Sequence, residues 1–482
     1  MTAEIQALCA DRVFQHFYEI CQIPHGSGNE KGVSDYLLHW ARGLGLEAEQ
    51  DRVLNVLIRK PASPGREDQP VVMLQAHMDM VCEKAVGVEH DFARDPVRWV
   101  IDGDILSTGG RTTLGADDGI GVALAMAILE DGRLSHPALE VLFTVMEEED
   151  FTGAGGFDAS KMNASYLINL DNTSDREIIC GSCGGRQVDV RIPVTAEAVP
   201  EGWQAYRLAV TGLRGGHSGE DIHRGHGSAN LLLARLLMAL EGCGPFRLGA
   251  VKGGSFRLAI PRDAEAVVWL DPALAGAAKA ALAELEAQFR GEMAVTGEAI
   301  SVSLTPTEAE DWCVEPGRVI DAIIMTPDGI FQMNEALEGL VDTSNNLGEI
   351  YLDRETLHFV TEIRSARDSL CAYLYQRMER LAALFGGSCQ WCSGYPSWYF
   401  RPQSRLREIC KPVYEADYGR EPVFRTLHAG LEVGYLSMGK PDMDAIAFGP
   451  DCWGYHSPSE GLRISSVRKA YAFLCHLLSA MR

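Results

Sequence analysis

Apolar residues along the first part of the chain switch repeatedly between a helical and an extended rhythm. Asp11 to Cys21 and Glu30 to Leu44 carry them at helical spacing, most clearly from Ser34 to Trp40. Val53 to Ile58 and Val71 to Ala76 are short apolar runs that predict strands. Asp117 to Leu129 (DDGIGVALAMAIL) predicts a buried helix, with acids in its first turn where the helix dipole favours them. Leu139 to Met146 and Tyr166 to Leu170 predict two more strands. Such alternation implies a sheet covered by helices on both faces.

From about Val188 the pattern changes. VDVRIPV, AYRLAVTGL, SFRLAI and AVVWL alternate polar and apolar positions, which predicts strands of a sheet with one face toward solvent. Two helices, Ser228 to Leu240 and Ala273 to Arg290, accompany them. Pro396 to Pro402 reads as an aromatic, proline-bearing connector. Beyond it come a helix from Arg405 to Tyr418, strands at Val423 to Leu427 and Asp444 to Phe448, and a last helix after Ser465. The expected fold class is α/β. A catalytic domain with a mixed, helix-covered sheet is split into residues 1–187 and 397–482, around an inserted α+β domain at 188–396.

Composition narrows the partners. Across 482 residues, 43 Lys and Arg face 67 Asp and Glu, for a net charge of −24. An acid excess of that size repels phosphate backbones and anionic membranes, so neither nucleic acid nor membrane is expected as a partner. No apolar run reaches the roughly 18 residues that span a bilayer. The N-terminal stretch lacks the basic, apolar and small-residue segments of a signal peptide, so a cytoplasmic location is expected. The 13 cysteines then read as reduced thiols, mostly filling the core. The two CxxC pairs, Cys180/Cys183 and Cys389/Cys392, lie much further apart than the roughly 15–20 residues of a zinc ribbon.

Candidate chemistry sits at the strand ends. VVMLQA runs into His77 and Asp79, VLFTVM into Glu147 and Glu148, YLINL into Asp171, and DAIAFGP leads through a short loop to His456. In open α/β sheets ligands bind at the carboxyl ends of strands, so the four tips can converge. Asp117 adds a fifth acid at the start of the buried helix. Imidazoles and carboxylates without a thiolate suit zinc, with cobalt or manganese as substitutes, rather than calcium. Two His and three carboxylates exceed what one tetrahedral zinc takes, and suit two ions about 3.5–4 Å apart that share a carboxylate. His77 and Asp79, two apart in an extended segment, point the same way, which lets the acid orient the ring. Glu147 and Glu148, being adjacent, are expected on opposite sides, one as a ligand and the other as general base. Glu149 and Asp150 are left as a solvated turn.

Taken together, LQAHMDM, TTLGADDGIG, FTVMEEE, INLD, GGHSGEDIH, GGSFRLAIPRDA, EIRSARDS, LHAGLE and GPDCWGYHSPSE resemble the M20 family of metallopeptidases, in particular its aminoacyl-histidine (Xaa-His) dipeptidase branch. The resemblance covers nearly the whole chain. It implies that His77 and Asp171 hold one zinc, Glu148 and His456 the other, and Asp117 bridges both. Glu147 would be the general base and Asp79 the orienting acid, with a cis peptide at Asp117–Asp118. The inserted domain would be a lid that also forms a homodimer. His217 would stabilise the oxyanion and Arg364 would hold the substrate's terminal carboxylate. His428 and Glu432 of HAGLE would lie at the substrate pocket, Glu432 contacting the substrate amine or imidazole. His223 stays unassigned, and Leu258 stands where relatives carry Asn.

The implied activity is hydrolysis of dipeptides, Xaa-His and β-alanyl-histidine among them, by a metal-bridged hydroxide. Within the family, a tripeptidase or N-acyl-amino-acid amidohydrolase is the alternative; outside it, a non-catalytic metal-binding dimer. A serine hydrolase fails at Glu220, where its motif needs Gly. A nucleotide site at Gly115 to Gly121 fails because Asp117 and Asp118 would oppose a pyrophosphate.

Overall fold

The computed structural model describes residues 1–335 and 339–481; residues 336–338 of the expected inserted domain, and residue 482, lie outside the described residues. The chain forms two compact units. The first comprises Met1–Gly181, Trp398–Thr426 and Leu431–Arg482, the second Ser182–Ser397 and Leu427–Gly430.

The first unit holds an eight-stranded mixed sheet. Its strand order is Glu47–Gln50, Val56–Lys60, Leu139–Thr144, Val72–His77, Tyr166–Asn169, Asp444–Ala447, Glu177–Ser182, Val423–Leu427. The run from Leu139–Thr144 to Asp444–Ala447 is parallel throughout, with His77 opposite Thr144 and Gln75 opposite Asn169. Parallel strands are covered on both faces, and every residue of Val72–His77 and Leu139–Thr144 is buried. The helix Ala116–Glu130 is apolar nearly all round and buried to match, packing with Phe14 and Phe17 of Arg12–Cys21 in one core. Because four neighbouring strands run the same way, their carboxyl ends lie along one edge of the sheet.

Two expectations fail for non-local reasons. The strand predicted to reach Met146 stops at Thr144. Met146 has φ 58° and its N–H donates to the Glu30 carboxylate, while the Phe151 N–H donates to its carbonyl, so the chain turns before the acids. SFRLAI, read as a strand, is a turn with a single bridge between Ala259 and His217. Gly254 precedes it at φ +67°, and a Cβ there would stand 1.8 Å from the Gly348 carbonyl oxygen.

The second unit holds a nine-stranded sheet whose recorded pairings are all antiparallel. Val188, Val190 and Ile192, alternate residues of Gly184–Pro193, enter one core with Leu233, Leu237 and Leu374 of the helices Ala229–Glu241 and Asp368–Leu384. No described helix is long and apolar enough to cross a membrane.

Candidate metal centre

The strand Val72–His77 delivers His77 to the carboxyl edge of the first unit's sheet, where its Nε2 lies 3.2 Å from Asp117 Oδ1 and 4.0 Å from Asp171 Oδ2. Asp117 belongs to the sharp entry of the buried helix. Its φ/ψ is non-helical, the Asp117–Asp118 peptide is cis, and Gly115 before it takes the left-handed φ of 71°. One carboxylate holds this entry: Glu460 accepts from the N–H groups of Leu114, Gly115, Ala116 and Asp117 at 2.6, 3.1, 2.8 and 3.3 Å. Glu460 itself comes from the loop after His456, which runs between the paired strands Cys452–Trp453 and Gly461–Arg463.

That loop brings His456 Nε2 to 2.9 Å from Glu148 Oε2 and 3.6 Å from Asp117 Oδ2. Asp117 thus turns one carboxylate oxygen to each histidine. Candidate ligand atoms of His77, Asp117 and Asp171 all lie within 4.8 Å of one another, as do those of Asp117, Glu148 and His456. So do those of His77, Glu147 and Glu148. Glu147 and Glu148 therefore reach the same space, against the expectation of opposite sides. Alternation holds only along a strand, and this strand ends before them.

Asp79 explains how the acid turn is fixed. Its carboxylate accepts from the N–H groups of Glu147 and Glu148 at 3.0 and 3.2 Å and from the Ser27 hydroxyl at 2.8 Å. It also stands 3.5 Å from His77 Nδ1, while that nitrogen lies 3.1 Å from the Asp79 carbonyl.

Burial of so many acids is electrostatically costly. It pushes Glu147 well above the usual carboxylate range, raises Glu148, and with the charge of Asp117 lifts Asp171 to about 8. Burial alone would raise Asp117 too, but His456 and His77 hold it below that range. Burial opposes charge on the imidazoles, yet surrounding carboxylates carry His77 well above its ordinary value and His456 to about 10. Two imidazoles and a surplus of buried carboxylates converging on one edge are the donor set of a divalent-cation centre. The described clusters contain no cysteine, and every cysteine is free.

Glu432, expected at the substrate pocket, is 1% exposed and accepts from Gln75 at 2.6 Å and Thr144 at 2.5 Å, and burial lifts its pKa to about 7. Glu460, Ser27 and Glu30 escaped the sequence reading. Only Glu460 left a trace, as the last residue of HSPSE.

The remaining expected residues form a cluster in the second unit. Arg364 is 3% exposed and donates to the Tyr395 hydroxyl at 2.5 Å and to Ser218. It makes no ion pair among the described residues; the buried acid Glu362 acts on it through charge but makes its contact with Arg257, at 3.1 Å. His428, also buried, lies 2.7 Å from the Ser344 hydroxyl; burial, then Arg364, His217 and His223, lower its pKa to about 3. His217 Nδ1 accepts from the N–H groups of Gly219 and Glu220 at 3.3 and 3.0 Å, which leaves the neutral ring's proton on Nε2.

Residues 73–480 match the sequence profile of peptidase family M20/M25/M40. Over 480 residues, 99% of either chain, the sequence is 35% identical to the cytosol non-specific dipeptidase of Escherichia coli (strain K12). The aminoacylhistidine dipeptidase of Vibrio alginolyticus superposes with a TM-score of 0.89 at 34% identity, over 100% of this chain and 98% of that one. The aminopeptidase PepT of Bacillus cereus, at 15% identity and a TM-score of 0.54 over 98% of each chain, shares the fold.

Proposed function

The chain belongs to peptidase family M20/M25/M40, whose members are metal-dependent peptide hydrolases, and from that premise we propose that it is a two-metal dipeptidase. Its preferred substrates in this reading are Xaa-His dipeptides, β-alanyl-histidine included. The observation that carries the two-ion reading is Asp117, with one oxygen toward His77 and the other toward His456. His77 and Asp171 would hold one ion, Glu148 and His456 the other, and Asp117 both. The ions, zinc with cobalt or manganese as substitutes, would supply Lewis-acid polarisation and an acidified water.

The chain's own residues do the rest. Glu147 reaches the same cluster, and burial raises its proton affinity, so it suits taking a proton from the attacking water and passing it to the leaving amine. Asp79 holds the turn that aims it. His217, protonated on Nε2, is suited to donate to the oxyanion. Arg364, a buried cation that makes no ion pair among the described residues, is suited to a free substrate carboxylate. A homodimer formed through the second unit and cytoplasmic residence complete the proposal; the cytosolic name of the Escherichia coli relative supports the latter.

The test is a panel of β-alanyl-histidine, α-linked Xaa-His and His-free dipeptides, tripeptides and N-acyl amino acids, with metal content measured on the same sample. Cleavage of His dipeptides that vanishes on chelation and returns with about two zinc per chain is the expected result. Preference for tripeptides or acyl-amino acids would move the substrate reading and leave the centre intact. Fewer than two ions at full activity would sink the two-ion reading.

A further inference from the structure

Beneath the candidate ligands lies a second polar layer, buried at the middle of the sheet. Gln75, Thr144 and Asn169 come from three adjacent parallel strands and are each about 0% exposed. Gln75 precedes His77 by two residues and Asn169 precedes Asp171 by two, while Thr144 is the register partner of His77. Side chains two apart on a strand share a face, so Gln75 lies one pleat repeat below His77. Fully buried polar groups in such a place need partners, and here the partners form a chain.

The chain has a direction. The Asp171 N–H donates to Asn169 Oδ1 at 3.2 Å, Asn169 Nδ2 donates to Gln75 Oε1 at 2.6 Å, and Gln75 Nε2 donates to Glu432 Oε2 at 2.6 Å. The Thr144 hydroxyl donates to the same Glu432 oxygen at 2.5 Å and lies 3.3 Å from the Ala76 carbonyl. The Glu432 oxygen that faces the chain, Oε2, accepts both bonds. With Glu432 at the end, Gln75 must turn its amide nitrogen that way, its oxygen must face Asn169, and the Asn169 oxygen must face the Asp171 N–H. The Asp171 N–H can only donate, so both ends of the chain demand this one orientation, and Glu432 is the acceptor on which it closes.

We propose that Glu432 is a positioning residue: the terminal acceptor that sets this hydrogen-bond chain and thereby fixes Asp171 and His77 as a pair of metal ligands. The inference rests on the two-ion reading above. It predicts a selective effect, because Glu148 and His456 are held by other bonds, the Glu148 N–H by Asp79 and the His456 loop by its flanking strands.

The experiment titrates the chelated full-length chain with zinc against a competing chelator, and with cobalt by absorption. Wild type is expected to show two sites. Glu432→Leu should weaken one site by about 10- to 100-fold, the usual range for a residue that orients a metal ligand, and leave the other within about threefold. Glu432→Gln, which keeps an acceptor oxygen for Gln75, should restore that site to within about threefold. Asn169→Ala breaks the chain further along and should weaken the same site; the double variant should be no weaker than the worse single one, because the residues act in series. Should Glu432→Leu fail to fold by circular dichroism, Glu432→Gln and Asn169→Ala decide. Two sites of wild-type affinity in Asn169→Ala, equal weakening of both sites, or additive effects would overturn the role of Glu432. A wild type that binds fewer than two ions would instead overturn the two-ion reading.

Discussion

The two units differ in how they bury charge. In the first, Asp117, Glu147, Glu148 and Asp171 converge with the imidazoles of His77 and His456. In the second, Arg364 is buried beside His428, and the nearby acid Glu362 is already taken by Arg257. A buried charge without a partner is tolerated only where something is meant to complete it. The first arrangement is the donor set of a divalent-cation centre; the second leaves a buried guanidinium with no ion pair among the described residues. In the proposed reading, the anion would be a substrate's terminal carboxylate and the cations divalent metal ions.

The contrast breaks most sharply at Glu147, the acid the first unit does not need as a ligand. Glu147→Gln keeps the volume and removes the proton acceptor. Turnover should fall by about 10²- to 10⁴-fold while metal content, measured by elemental analysis, stays at the wild-type level. Loss of metal in that variant would make Glu147 a ligand and return the general base to Glu148.

The second unit's half is tested at Arg364. Arg364→Met should lower kcat/KM for dipeptides with a free terminal carboxylate by about 100-fold, mostly through KM, and leave metal content unchanged. The same dipeptides with an amidated terminus should lose comparable rate in the wild type and lose little more in the variant. An equal drop for both substrates would assign Arg364 to packing.

How much of this the sequence displays depends on how local the cause is. An apolar run ending in an acid or imidazole is a local pattern, so His77, Glu147, Glu148, Asp171 and the direction of their strands are legible from it. The residues that hold those side chains in place are not legible in this way. Glu460 secures Asp117 from more than three hundred positions away, and Glu432 reaches Gln75 from further still. No spacing rule links residues that meet only after the sheet has formed. The same limit explains SFRLAI, whose alternation fits a strand but whose approach to Gly348 forces a turn. It also explains the acid turn, where the end of the strand is set by Glu30 and not by the residues of FTVMEEE.

The smallest effect lies in pH, and it concerns the second unit alone. Burial, together with the charge of Arg364 and the neighbouring His217 and His223, lowers the pKa of His428 to about 3 from an ordinary value near 6.5. Between those values the unfolded chain binds a proton that the folded chain refuses. Stability contributed by the neutral ring is thus complete above about pH 6.5 and is lost as pH falls toward 3. At pH 5 the loss from this one group is of order 2 kcal/mol. His428→Asn retains a polar group against Ser344 but has no proton to gain. Urea unfolding of the chelated protein at a series of pH values should show the variant losing about 2 kcal/mol less than wild type between pH 7 and pH 5. Chelation matters, because acid also strips metal from the first unit and would otherwise hide the difference. Parallel pH profiles for the two proteins would mean that His428 takes up its proton in the folded state, and that the second unit's positive charge is shared between Arg364 and an imidazolium.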